Sequence, residues 1–270
     1  MSSPDPSVKR NGRIQAVDRA AGIMRALATG TPTLGVTEVA DRIGLAKPTV
    51  YGLLRTLEHN GLVRQDPDSG KYSLGPAVLQ LGNAYLAGSD LRTRSMLRAA
   101  ALARQVNESV WVAVLTETDV MVVHHEFRPD DVVQILEVGA TIPWHACALG
   151  HAIAAYVEED TLHTLMTAPL RPLTGRTHTT KAALAKALAK VRANGYAIEN
   201  QESNVGEGGI AAAIVDRRGV AAGSVGIVGP TERLLPPAGA ASLARAVVDT
   251  ARAISRDMSG RRLTVALDEA

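Results

Sequence analysis

Three groups of residues carry side chains able to do chemistry. His145, Cys147 and His151 are closely spaced, and with His124 or His125 they could supply the nitrogen and sulfur donors of a zinc site. Their H-x-C-x-x-x-H spacing matches no standard zinc pattern, so no metal is expected. His124, His125 and Arg128 form a second group, whose cationic and imidazole donors suit a phosphate. A competing reading puts the two adjacent histidines on opposite sides of a strand, one facing the core and one facing solvent. The third group is Lys47, Pro48, Thr49, Tyr51, Gly52 and Arg55. Pro48 and Gly52 offer no side-chain hydrogen bond, which leaves Lys47, Thr49, Tyr51 and Arg55 to reach base edges or phosphates, Arg55 with a bidentate guanidinium.

Catalysis finds little support. The chain has no Walker loop, no G-x-S-x-G and no H-E-x-x-H, and its GEGG does not fit the dinucleotide fingerprint. Glu158 and Glu159 adjoin in a helix and point apart, as residues on a solvated face do. An enzyme is not expected, and no cofactor is.

The third group needs a helix held against others, and the surrounding sequence supplies them. A first helix is expected over 14–28, with Val17, Ala20, Ala21, Met24, Leu27 and Ala28 on one stripe and Gly30 and Pro32 ending it. Thr37 is placed to cap a short second helix that Gly44 stops. The third helix opens with Pro48 in its first turn and closes at Gly61. Val50, Leu53, Leu54 and Leu57 follow i, i+3, i+4, i+7 spacing and should be buried, which turns Pro48, Gly52, Arg55 and His59 outward. Strands at 62–65 and 71–74 around the turn DPDSG make a wing carrying Arg64 and Lys71. Helix, turn, helix and hairpin in that order are a winged helix-turn-helix, which lays one helix in the major groove of duplex DNA. Gly52 either lets that helix approach the groove floor or is a small residue tolerated on a solvated face.

Composition fits a two-part chain. Its 270 residues, 46% hydrophobic, exceed one average domain. The formal charge is only +2, yet residues 1–88 hold ten Lys/Arg against seven acids, the sign expected of a part that meets phosphates. Cys147 is the single cysteine, so no intrachain disulfide forms, and no run is long enough for a membrane span, which points to a cytoplasmic protein. The expected division is a disordered arm at 1–13, a DNA-binding domain at 14–75, a connecting segment at 76–89, a larger domain at 90–258 that controls the binding and a flexible tail at 259–270.

Beyond the linker a long helix at 90–106 leads into β-prone runs at 110–115 and 120–125, with others at 132–137, 210–215 and 222–228. Helices are expected near 148–157 and at 181–193, the second capped by Thr180 and stopped by Gly195. The result is an α/β domain, a sheet with helices on its faces. Two features could hold a small ligand: the helix start at Ala148 to Gly150, whose free amides favour an anion, and Gly206, Gly208 and Gly209, which let backbone amides come close. Ordinary cap and turn chemistry accounts for either.

The segments IQAVDRAAGIMRAL, IPWHACALGHAIAAY and GYAIENQESNVGEGGIAAAIVDRRGVAAGSVGIVGP, with the helix-turn-helix, resemble the IclR family of bacterial transcription regulators across about 13–257. LAKPTVYGLLRTLEHNGLVRQDPDSGKYSLG, LQLGNAYL and VVHHEFRPDDVVQILEVGA are similar to the family's actinobacterial glycerol-operon branch. The resemblance implies a winged helix, a linker helix with Val78, Leu81 and Tyr85 on one side, and a GAF-like effector domain, assembled as a dimer or a dimer of dimers. It further implies effector contacts at Ala148, Leu149, Glu199, Gly209, Gly226 and Val228, beside which His124, His125 and Arg128 are candidates. Gly209, Gly226 and Val228 depart from the hydroxyl or thiol residues of carboxylate-sensing relatives. The implied effector is a phosphorylated polyol, glycerol 3-phosphate, with an aromatic or keto acid as the alternative, and the implied role is repression.

Overall fold

The computed structural model describes residues 14–31, 33–130, 134–236 and 239–259. The expected arm at 1–13, Pro32, the start of the strand expected at 132–137 and the tail past Ser259 lie outside the described residues. The chain forms two compact units, Met1–Gly88 and Ser89–Ala270.

In the first unit α1 (Gln15–Ala28), α2 (Val36–Ile43) and α3 (Lys47–His59) enclose a core of Ile23, Leu27, Leu34, Val39, Val50, Leu54 and Leu57. The buried stripe of α1 runs through Ile23 and Leu27, whereas Val17 and Ala28 are exposed. Periodicity counted alanines as apolar, but the larger side chains decide which face is buried, at about 1.5–3 kcal/mol each. Thr37 does not cap α2. Leu34 and Tyr72 exchange backbone hydrogen bonds of 2.9 and 2.8 Å, which holds the chain extended up to Gly35 and leaves Thr37 inside the first turn. Glu38 instead accepts the Gly35 N–H at 2.6 Å. Gly44, at φ 66°, stops the helix in the left-handed region that glycine adopts freely. The strands β1 (Val63–Gln65) and β2 (Tyr72–Leu74) pair antiparallel as the wing, and fully buried Tyr72 anchors it to the helices. Next comes α4 (Pro76–Ala87), which buries none of its residues fully within the chain.

The second unit is built on a six-stranded antiparallel sheet. Its members are β3 (Ser109–Leu115), β4 (Asp119–Glu126), β5 (Thr141–Pro143), β6 (Ala197–Asn200), β7 (Glu207–Val215) and β8 (Ala221–Pro230), in the order β5-β4-β3-β8-β7-β6. One face packs on α5 (Asp90–Val106) and α10 (Ala240–Ser259). Against the other lies α6 (Ala148–Ala154), with α8 (Lys181–Asn194) packed on it and on β6. Two further helices, α7 (Glu159–Thr167) and α9 (Thr231–Leu234), complete the unit. Thr180 Oγ1 accepts the Ala183 N–H and Gly195 turns left-handed at φ 81°, as expected for α8.

No strand forms over residues 134–137. Gln134 instead closes a loop by bonding both the N–H and the carbonyl of Arg128, and Ile135 and Leu136 are exposed. Backbone bonding to β4 begins at Gly139, whose N–H donates to the Val122 carbonyl at 2.8 Å and whose φ of 91° turns the chain toward β5.

Candidate functional site

The face of α3 opposite Val50, Leu54 and Leu57 is open. Lys47, Pro48, Tyr51, Gly52 and Arg55 are exposed, and Thr49 is half-buried. No side-chain cap covers the start of α3, so its first-turn amides remain for an anion such as a backbone phosphate. A Cβ built on Gly52 meets nothing within 4 Å. Arg55 rests on Glu58 at 3.3 Å, an exposed pair that a phosphate or a guanine can displace at little cost. Thr37 is exposed at the start of α2, and Lys71 reaches across from the wing to Glu38 at 3.6 Å. Arg64 donates to Ser73 Oγ at 3.0 Å. The nine residues named for DNA thus lie on helix starts, on the outer face of α3 and on the wing.

In the second unit, the sheet face toward α6 opens into a cleft of about 310 Å³. Ala148 and Leu149 form one wall, Glu199, Gly209 and Val228 another, and Trp111, Thr141 and Ile142 a third. Register explains the grouping, because Gly209 pairs with both Glu199 and Val228. A Cβ on Gly209 would lie 3.3 Å from Ala148 Cβ and 3.5 Å from Glu199 Oε2, so the missing side chain keeps the floor open. Glu199 is buried, and its Oε1 accepts the N–H groups of Glu202 and Ser203 at 2.7 and 3.3 Å. Burial raises its carboxyl above the usual range against the opposing pull of those two amides. Cys147 caps α6 by accepting the Gly150 N–H at 3.3 Å, which leaves the first two amides of the helix, on residues that line the cleft.

Three expected contacts are not there. Gly226 lies on the cleft side of the sheet but is sealed, since a Cβ there would be 2.7 Å from both Ala211 Cβ and the Ile210 carbonyl. Its small size serves the close approach of β7 and β8. His124 pairs in register with Val112, on the opposite sheet face, and bonds Glu126 at 2.9 Å. His125 is on the cleft side, yet both ring nitrogens are spent: Nδ1 accepts the Glu137 N–H at 3.1 Å, so Nε2 donates to Ser109 Oγ at 2.7 Å. Burial lowers its pKa, and its ring stands T-shaped to Trp111 at 5.6 Å. It therefore braces the wall rather than presenting a charge. Both histidines are buried, so neither faces solvent as the alternating reading supposed; the helices on the two sheet faces cover both sides.

Arg128 forms an ion pair with Asp130 in an adjoining opening of about 360 Å³ that shares Val228 and Gly229 with the cleft. Arg233 stands there too, bonded twice to Glu108 at 2.8 and 2.9 Å. Two of the glycines expected near a ligand do other work. Gly206 donates to Gln201 Oε1, and Gly208 packs against Thr231.

The His/Cys group is committed elsewhere. Backbone carbonyls can only accept, so His145 Nε2 donates to Arg171 O at 3.0 Å and His151 Nε2 to His145 O at 2.9 Å. Burial pushes the Cys147 thiol up to about 12, which withholds the thiolate a metal needs.

Sequence reasoning missed Trp111, Glu137, Thr141, Ser203, Asn204 and Glu207, all of which line the cleft. Strand register brings them together, and only the alternation of β3, which puts Trp111 on the side opposite Val110 and Val112, could have hinted at it.

Comparison with known proteins agrees with both halves of this picture. A family model described as Bacterial transcriptional regulator IclR C-terminal matches residues 83–256, and one described as IclR helix-turn-helix domain matches residues 16–67. The chain is 43% identical over 251 residues to the Glycerol operon regulatory protein of Streptomyces griseus, covering 92% of this chain and 98% of that protein. The protein of the same name from Streptomyces coelicolor is 43% identical over 255 residues, with the same two shares. The crystal structure of an IclR homolog complexed with 4-hydroxybenzoate from Microbacterium hydrocarbonoxydans matches with a TM-score of 0.75 at 21% identity, covering 90% of this chain and 98% of that one, and so shares the fold. With both units matched and relatives running nearly its full length, this chain belongs to the IclR family, and it is a DNA-binding regulator of transcription.

Proposed function

We propose that this protein represses an operon for glycerol use and releases it when a small polyol occupies the cleft of the second unit. The observation that carries the ligand class is the cleft's polar lining. Glu137, Glu199 and Glu207 supply carboxyl groups, Thr141, Ser203 and Asn204 hydroxyls and an amide, and no Lys, Arg or His lines it among the described residues. Hydroxyl groups donate to such acceptors, whereas a phosphate or carboxylate would meet repulsion. Glycerol fits this chemistry, and the relatives named as glycerol operon regulators support the pathway.

A second reading keeps the phosphate ester. Arg128 Nε is buried in the adjoining opening without a hydrogen-bond partner among the described residues. Glycerol 3-phosphate could set its hydroxyls in the cleft and its phosphate toward Arg128 and Arg233. Calorimetry on the full protein separates the readings. Glycerol binding as tightly as glycerol 3-phosphate supports the first, and binding of the ester alone supports the second. Heat from 4-hydroxybenzoate or a keto acid, with none from either polyol, overturns both.

On the DNA side, two copies of the winged helix would read a palindromic operator, with half-sites one turn apart at roughly 34 Å. Lys47, Thr49, Tyr51 and Arg55 supply the reading groups, while Thr37, Arg64 and Lys71 hold phosphates. Val78, Leu81 and Tyr85 lie on one side of α4, with Val78 half-buried and Leu81 and Tyr85 63% and 57% exposed, an apolar side suited to pairing in a homodimer or a dimer of dimers. Coupling of about 1–3 kcal/mol between cleft and operator would change affinity about 5- to 150-fold. The site of action is the cytoplasm, and no described helix is long and apolar enough to cross a membrane.

A further inference from the structure

A second cavity, of about 530 Å³, lies between α8 and β6, with His151, His178 and Glu202 at its inner end and Lys186 and Lys190 along α8. The cleft described above shares none of its lining residues.

Glu202 is the unusual group. Its backbone is fully held: the N–H donates to Glu199 Oε1 at 2.7 Å, and the carbonyl accepts from the hydroxyls of Thr177 at 2.7 Å and Thr174 at 3.4 Å. Its side chain is held only weakly, by the Asn200 N–H. The carboxyl is 9% exposed, and Oε2 is buried without a hydrogen-bond partner among the described residues. His151 Nε2 stands 3.9 Å away with its proton already given to His145, and His178 Nε2 stands 3.7 Å from Oε1, both beyond a hydrogen bond. A buried polar atom left this way is destabilising unless something else satisfies it.

The charges around the cavity say what that something is. Burial and the neighbouring Glu199 push the Glu202 carboxyl up to about 8, so at neutral pH it is an acid with a proton to donate. His151 is held near 4 and is neutral, while burial and the nearby Lys190 lower the pKa of His178. Lys186 and Lys190 sit one turn apart on α8 and are the cations of the lining, accompanied by the Tyr196 phenol. Two ammonium groups, an imidazole and a carboxylic acid O–H all seek acceptors. A cationic ligand would face the lysines, and an apolar one would leave Glu202 unsatisfied.

We propose that this cavity is a second ligand site, taking a small metabolite that bears an oxyanion, held by Lys186, Lys190 and His178 with Glu202 donating to it. The bond from the Glu202 N–H to Glu199 Oε1 places the turn at 199–202 between the two cavities and keeps their linings separate.

The test follows the imidazole resonances of His151 and His178 in the full protein by NMR during titration with inorganic phosphate, and separately with acetate, up to about 20 mM. Saturable shifts of both rings with at least one anion are expected, and the stronger anion tells phosphate from carboxylate. A Lys186→Gln/Lys190→Gln protein should bind at least tenfold more weakly. A Gly209→Val protein, with the other cleft filled, should bind unchanged. Above pH 8 the wild type should weaken as Glu202 ionises, and Glu202→Gln should not. Absence of saturation with both anions, wild-type affinity in the double lysine variant, or loss of binding in Gly209→Val would each overturn the proposal.

Discussion

Gly52 is the position where folding and DNA reading make opposite demands. It lies in the interior of α3 on the exposed face, and a Cβ there meets nothing within 4 Å. Glycine in a helix interior costs roughly 0.5–1 kcal/mol against a good helix former, so Gly52→Leu should stabilise the winged-helix unit by about that amount. For a domain of this size that is a rise of a few degrees, about 2–8 °C, in its melting transition. If α3 enters the groove with Gly52 against its floor, the leucine holds the helix off and disturbs at least one base-edge contact. Such a contact is worth about 1–3 kcal/mol, or about a 5- to 150-fold loss in operator affinity. Calorimetric melting and fluorescence anisotropy on labelled operator read the two effects on one preparation. A higher melting temperature with unchanged affinity would refute the close approach, and a lower one would show that the position is not open.

Other substitutions probe the remaining geometry. Gly226→Ala should destabilise the second unit by about 1–3 kcal/mol, because its Cβ falls 2.7 Å from Ala211 Cβ, and chemical denaturation measures it. Replacing Arg64 or Lys71 with Gln should lower the slope of log affinity against log salt by about one, leaving sequence preference alone. Glu202 sets a pH dependence: folded it holds its proton up to about 8, while the unfolded chain loses it near the ordinary carboxylate value. Its contribution is complete below that ordinary value and drains away as pH rises, by about 1 kcal/mol between pH 7 and 8. His151, depressed to about 4, loses its contribution only as pH falls below 6.5, so it leaves that window untouched. Glu202→Gln should flatten the slope of stability between pH 7 and 8, and a slope equal to the wild type would show that the carboxyl is already ionised.

The elements that carry strong local signals were legible in the sequence. Pro48 in the first turn of α3, Thr180 and Gly195 around α8, and Gly44 after α2 each act through neighbours a few residues away, and the structure places those boundaries within a residue or two. Thr37 misled because the cap of α2 is set by the Leu34 and Tyr72 pairing, a contact across 38 positions that no local pattern reports. The histidines misled in a similar way. His124 and His125 have the right chemistry for phosphate, but strand register sends one to the far face and gives the other two partners. The cleft itself depends on what is missing at Gly209 and on Trp111 arriving from another strand. Glu202 carried no sequence signal, because its distinction is an unsatisfied atom.

We propose that the exposed side of α3 reads duplex DNA under control of the second unit. The most direct measurement is anisotropy of the full protein on its own promoter fragment, against random competitor at moderate salt, with and without glycerol. The predicted result is a preference for the promoter of about 1,000-fold or more, reduced at least fivefold by the polyol. Equal affinity for promoter and competitor in both conditions would contradict it.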